Sequence, residues 1–183
     1  MNKPSTQQVG IFALLVVFAA GSRFLSLAPN FQAVAAVALF AGWYFSQRTI
    51  AVAAPLVAML ATDSFIGGYD WRLMAVVYAM LALPVLMGRF LRHAGGATPR
   101  MFSVVCASVL ASAVFFVVTN FAVWAFAADV AYPKTLAGLT ECYANAFPFF
   151  RFMLAGDVLF SVALFEAYGY VTRRQSAPAL ATA

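Results

Sequence analysis

Apolar residues in this chain neither alternate with polar ones nor recur on one helical face; they come in long, nearly unbroken runs. Six can be read, at about 9–28 (interrupted by Arg23), 31–45, 50–66, 73–91, 101–119 (with an apolar extension to Ala128) and 147–170. A helix needs about 20 residues to cross the hydrocarbon layer of a bilayer. The runs at 31–45 and 50–66 are short, which predicts helices that tilt little or thin the bilayer locally. Backbone in lipid must hydrogen-bond to itself, so the runs are predicted to be helical. The two-residue alternation of a membrane β-barrel is absent. The pattern predicts an all-α, polytopic membrane helical bundle of about six transmembrane helices, one integral membrane domain over 1–183.

Breaks separate the runs. Pro29 follows the first, Ser46-Gln47-Arg48 makes a tight polar turn, Gly67-Gly68 marks the stretch 63–72, and Gly95-Gly96 with Pro99 marks 89–100. The longest connection is expected at 120–145, with Pro133 and Gly138 in it. Lys3 ahead of an apolar run, with Ala19-Ala20-Gly21 behind it, has the look of a signal peptide. The run continues past that point to Ala28, so a retained first span is expected.

Composition agrees with the pattern. Charged residues make up 9% of the chain and hydrophobic ones 64%, against roughly 25% charged in soluble domains. So little charge cannot cover a water-facing surface, and a lipid bilayer is the expected surroundings. The net charge of +5 comes from basic residues placed singly or in pairs. That spacing excludes a clustered nucleic-acid face and instead reports orientation. Lys3, Arg48, Arg89, Arg92, Arg100, Arg173 and Arg174 fall on one side of six spans, and Arg23, Arg72, Lys134 and Arg151 on the other. The richer side is cytoplasmic by the positive-inside rule, giving N-in, C-in, in a bacterial cytoplasmic (inner) membrane. Asp63, Asp70, Asp129 and Glu141 then lie on the outer side.

The candidate chemistry is one-ended. The inner connections hold basic residues and glycines. The three outer ones gather Arg23, Asn30, Asp63, Asn120, Trp124, Lys134, Glu141, Cys142 and Arg151. Small-molecule pockets are apolar cavities with a few placed polar groups and aromatic walls, and these nine residues with Asp157 are the candidate substrate-binding set. Each has a plainer reading. Arg23 can snorkel to headgroups, Trp124 can anchor at the interface, and Asp63 can cap or pair locally. Asp157 falls well inside the last run, where a charge is expensive and expected to face the interior with a partner. Arg151 is six residues away, on another face, so Arg23 or a polar cluster with Thr119 and Asn120 is the expected partner. Cys106 reads as a small buried hydrophobe.

No enzyme is expected. The single histidine, His93, is remote in sequence from Cys142, no residues have metal-ligand spacing, and no glycine-rich phosphate loop is present. No catalytic set, metal site or cofactor is expected, and any ATP coupling would have to come from a partner.

One block resembles an uncharacterised family of small bacterial membrane proteins: Phe115-Phe116, Thr119-Asn120-Phe121, Trp124, the stretch 132–139, Cys142-Tyr143, Pro148-Phe149-Phe150-Arg151 and Gly156-Asp157. Pro29-Asn30-Phe31, the stretch 38–42, Pro55-Leu56, Asp63, Gly67, Tyr78 and Gly88 belong to the same resemblance. More distantly, the chain is similar to the substrate-binding (S) components of energy-coupling-factor vitamin transporters. That similarity implies an S-component-like bundle whose first, third and fifth loops shape an outward pocket, and an energising ATPase and transmembrane module as an optional partner. An Ala-x-x-x-Ala docking face is missing from the first run, where Ala13 is followed by Val17 and Val16 by Ala20, while Ala54 and Ala58 give a small-residue face on the third. Solitary cobalamin-transporting S components use a cysteine on cobalt, and Cys142 lies on the corresponding side.

The expected function is binding and uptake of a small micronutrient-like solute. The alternative is a non-catalytic structural protein of a cell-envelope or cell-shape complex. A lipid- or isoprenoid-modifying enzyme lacks a visible catalytic set. Arg23, Asn30, Asp63, Asn120, Glu141 and Arg151 converging on one cavity would favour uptake.

Overall fold

The computed structural model describes residues 5–25, 28–94, 98–126 and 131–176. Lys3, Gly95, Gly96, Ala128 and Asp129, which entered the reading above, lie outside these residues. The described residues form α1 (Thr6–Phe24), α2 (Val34–Tyr44), α3 (Arg48–Ile66), α4 (Trp71–Met80), α5 (Ala82–His93), α6 (Met101–Phe126) and α7 (Leu136–Ser176). No strand occurs among them. α4 and α5 continue one another, so six rods are present, five of them long and apolar enough to cross a membrane. The break at Leu81 has a local cause. Pro84 has no amide to offer the Met80 carbonyl one turn back, and the Leu81 amide reaches only three residues back, to Tyr78 O at 3.2 Å.

The short second run is the organising element. At 1.5 Å per residue, α2 is about 16 Å long, too short for a hydrocarbon layer of about 30 Å. It nevertheless holds the core: Val37, Ala38 and Ala41 are fully buried, and Leu39, Phe40 and Trp43 nearly so. α2 packs against α1, α3, α5, α6 and α7. Its closest approach is to α5, where glycines let the backbones meet. A Cβ at Gly42 would lie 2.1 Å from Val85 O, and one at Gly88 2.0 Å from Leu39 O. Around Phe40, the rings of Trp43, Tyr44, Phe165 and Tyr168 lie at centroid distances of 5.1–5.9 Å.

The outer faces are apolar as well. Leu14, Val17, Phe65, Phe90 and Phe102 are all well exposed, the surface of a protein solvated by lipid. Cys106 sits on this exposed face of α6 and not in the core as expected. An apolar run does not tell the lipid side from the core, because both surroundings are equally apolar.

Both expected turns at the ends of α3 are present. At the 45–47 turn Arg92 donates to Tyr44 O and Ser46 Oγ, and Arg89 to Ser46 O. At 67–70, Gly67 adopts φ 98°, open to glycine, and Asp70 caps α4 by accepting the Arg72 amide at 2.8 Å.

The connection expected at 120–145 is much shorter. α6 runs on to Phe126 and α7 begins at Leu136. Gly138 is a contact residue inside α7, since a Cβ there would lie 2.1 Å from Pro133 O. Thr135 Oγ1 accepts the Gly138 amide at 3.2 Å, starting the helix. Glu141, Cys142 and Asn145 are therefore helical residues, not loop residues.

Candidate functional site

Because α2 stops short of the bilayer thickness, the volume beyond its N-terminus is not filled by helix. A cavity of about 420 Å³ occupies it, lined by Asn30, Gln32, Val34 and Ala35 from the entry into α2. Arg23 and Met59 close one side, Tyr69, Val77 and Leu81 another, and Phe115, Phe116, Thr119 and Asn120 of α6 a third. Ala146, Phe149, Phe150, Met153 and Asp157 of α7 complete the wall. Small-ligand sites span about 300–1,000 Å³, so the size suits a small solute.

Four of the ten expected residues line this cavity: Arg23, Asn30, Asn120 and Asp157. Asp63 stands directly behind it. Arg23 Nη2 lies 2.6 Å from Asp63 Oδ1, and Nη1 donates to Thr62 Oγ1 and to Met59 O. The Tyr78 hydroxyl donates to the other Asp63 oxygen at 2.6 Å. Arg23 thus turns inward to α3 and does not snorkel to headgroups, and Asp63 pairs across the bundle and not locally. The Arg23 Nε is buried with no acceptor among the described residues.

Asp157 has neither expected partner. It is 5% exposed, and its Oδ2 accepts from Ser112 Oγ at 2.7 Å. Arg23 is already committed to Asp63. Thr119 and Asn120 turn back on their own helix, bonding to Phe115 O at 2.7 Å and Phe116 O at 2.8 Å. Asn30 takes a left-handed backbone, φ 62°, at the turn into α2, a conformation asparagine tolerates better than most residues.

The other five lie elsewhere. Trp124 Nε1 donates to Pro133 O at 3.0 Å, and Lys134 Nζ donates to Trp124 O while lying 5.9 Å from the indole centroid. These two clasp the α6–α7 connection. Cys142 is 2% exposed in the α6–α7 seam, its Sγ 3.5 Å from Asn120 O. Glu141 is exposed on α7, and so is Arg151, whose guanidinium lies 4.6 Å from the Phe152 ring.

Several wall residues escaped the sequence reading. Gln32 reads as an ordinary member of an apolar stretch, and Phe115, Phe116, Phe149 and Phe150 entered only through the family resemblance, not as binding candidates. Tyr69 reads as a loop aromatic. Burial first, and the nearby Asp63 charge second, raise its phenol above the usual range, so it remains a protonated donor. Among the described residues no group of three or more His, Cys, Asp or Glu side chains is placed to hold a metal.

A bundle of apolar helices around a buried half-length helix, with one polar-aromatic cavity at its end, defines a multi-pass helical membrane protein with a small-molecule-sized pocket. The chain belongs to DUF6580, a family of unknown function, which it matches over residues 3–180. No curated protein and no solved structure matches it.

Proposed function

We propose that this protein binds a small micronutrient-like solute in the cavity beyond α2 and mediates its uptake across a bacterial cytoplasmic membrane, N-in and C-in. The observation that carries this reading is the cavity itself. It offers about 420 Å³ at the end of a bundle packed tightly around α2, and polar groups from α1, α6 and α7 line it. A concave site of this size with aromatic walls and a few placed polar groups is the form small-molecule sites take. The likeness to vitamin-transporter S components supports the same direction, with an energising ATPase module as an optional partner.

Native mass spectrometry of the protein released from mild detergent tests the reading. A stoichiometric small-molecule adduct, lost on Asn120→Ala or Phe149→Ala, is the expected result. A clean apo mass together with co-purifying envelope proteins would favour the structural alternative. In that alternative the Arg23–Asp63–Tyr78 network is simply an interhelical lock.

A further inference from the structure

Two polar groups in the cavity wall have unmet hydrogen-bonding capacity among the described residues, one a set of donors and the other a carboxylate. The first is the N-terminus of α2. Ala33 N donates to Ser22 Oγ at 2.9 Å, and the Val37 amide reaches Ala33 O at 2.8 Å. Between them the amides of Val34, Ala35 and Ala36 have no acceptor among the described residues, and no side chain caps the helix. Val34 and Ala36 are buried. A buried, uncapped helix end is unusual, and its amides and dipole together favour an anion.

The second is Asp157. Ser112 donates to Oδ2; among the described residues Oδ1 accepts no hydrogen bond and no lysine or arginine nitrogen lies within 4.0 Å. A carboxylate this deeply buried calls for a cationic partner. Arg23, the only cation lining the cavity among the described residues, is held by Asp63, Thr62 and Met59 and adds no net charge with Asp63. Both unmet groups belong to one site because α7 approaches the entry to α2 closely: a Cβ at Gly156, next to Asp157, would lie 3.2 Å from Gln32 N.

We infer that the solute is a small zwitterion with an apolar body, its anionic group seated on the N-terminus of α2, its ammonium on Asp157, and its body against Phe115, Phe116, Phe149 and Phe150. This rests on the binding reading above and names the class of ligand. A simple anion would leave Asp157 unpaired and be repelled by it. A simple cation would leave the three amides unmet and face the positive end of the helix. Aromatic walls add attraction for the ammonium.

The test uses the full-length protein in detergent at pH 7, with three probes that share a phenylethyl body: L-phenylalanine, phenethylammonium and 3-phenylpropionate. Thermal shift and calorimetry are read alongside the mass of any co-purified adduct. L-phenylalanine is expected to bind at least tenfold more tightly than either singly charged probe. Asp157→Asn, which keeps the Ser112 contact, is expected to remove its advantage over 3-phenylpropionate. The wild-type ranking stands even if that variant fails to fold. Equal or tighter binding of a singly charged probe, or an adduct that is not a zwitterion, overturns the zwitterion and leaves the binding reading intact. A zwitterionic adduct supports the inference even where all three probes fail. No binding and no adduct overturns both.

Discussion

The Arg23 guanidinium meets the Asp63 carboxylate at 2.6 Å, joining the last turn of α1 to the last turn of α3 with both side chains about nine-tenths buried. Thr62 and Met59 take further Arg23 donors, and Tyr78 brings α4 into the same network. In an apolar interior such a pair contributes little beyond an apolar replacement, while breaking it strands a charge. Arg23→Met and Asp63→Leu alone are each expected to destabilise by about 3–5 kcal/mol, and the double variant by clearly less. Thermal unfolding of the four proteins in one detergent measures the cycle. A double variant as unstable as the sum of the singles would refute the coupling.

Tyr78→Phe keeps the ion pair and removes one hydrogen bond to Asp63. Its expected effect is about 1.5–3 kcal/mol, the usual range for a bond to a charged group. It should fall below that of Arg23→Met in the same assay. If the order is reversed, Tyr78 and not Arg23 is the main support of Asp63.

The α2–α5 crossing has no room for a methyl group. Gly42→Ala and Gly88→Ala each place a Cβ about 2 Å from backbone oxygen, so loss of monodisperse protein or a fall of several degrees in unfolding temperature is expected. Gly10→Ala and Gly21→Ala in α1 meet nothing within 4 Å. They should hold or raise stability, by up to about 1 kcal/mol from the helical preference of alanine. Equal behaviour of the two pairs would contradict the close approach.

Asp70 carries the pH dependence of the α3–α4 turn. Its hydrogen bonds from the Arg72 side chain and amide lower its pKa from 3.8 to about 2. A carboxylate with a depressed folded pKa contributes stability that is full above its unfolded value and is lost as pH falls through the folded one. The unfolding temperature of wild type minus that of Asp70→Asn should therefore be constant above about pH 5 and shrink between about pH 4 and pH 2. A difference that changes between pH 5 and 8 would assign the effect to another group.

Orientation can be read with a membrane-impermeant maleimide after Cys106 and Cys142 are replaced by alanine. A cysteine at Gly68 should react in intact cells, and one at Arg92 only after the membrane is opened. The reverse pattern would invert the topology.

Much of the helical content was legible because it follows from local rules. Long apolar runs in a chain with so little charge have few alternatives to membrane helices, and the turns at Ser46 and Gly67 announced themselves by residue type. The α6–α7 connection was misread because Pro133 and Gly138 are turn signals locally. Gly138 is needed for a contact with Pro133, which sequence order alone does not display. The same limit governed the site. The four candidates on the cavity wall were visible as polar residues in apolar surroundings, and Glu141, Arg151, Lys134, Trp124 and Cys142 shared that signal without sharing the cavity.

The sequence by itself determined that the chain is a bundle of long apolar helices. Burial of apolar surface and the need to satisfy backbone hydrogen bonds in lipid are properties of each segment. Only the tertiary structure decided that the second segment is a half-length helix at the centre, that Arg23 belongs to Asp63 and not to Asp157, and that Asp157 and the bare end of α2 share one cavity. Those are facts about which faces of different helices meet. They depend on close packing at glycines such as Gly42, Gly88 and Gly156, where a single methyl group would change the distance between helices.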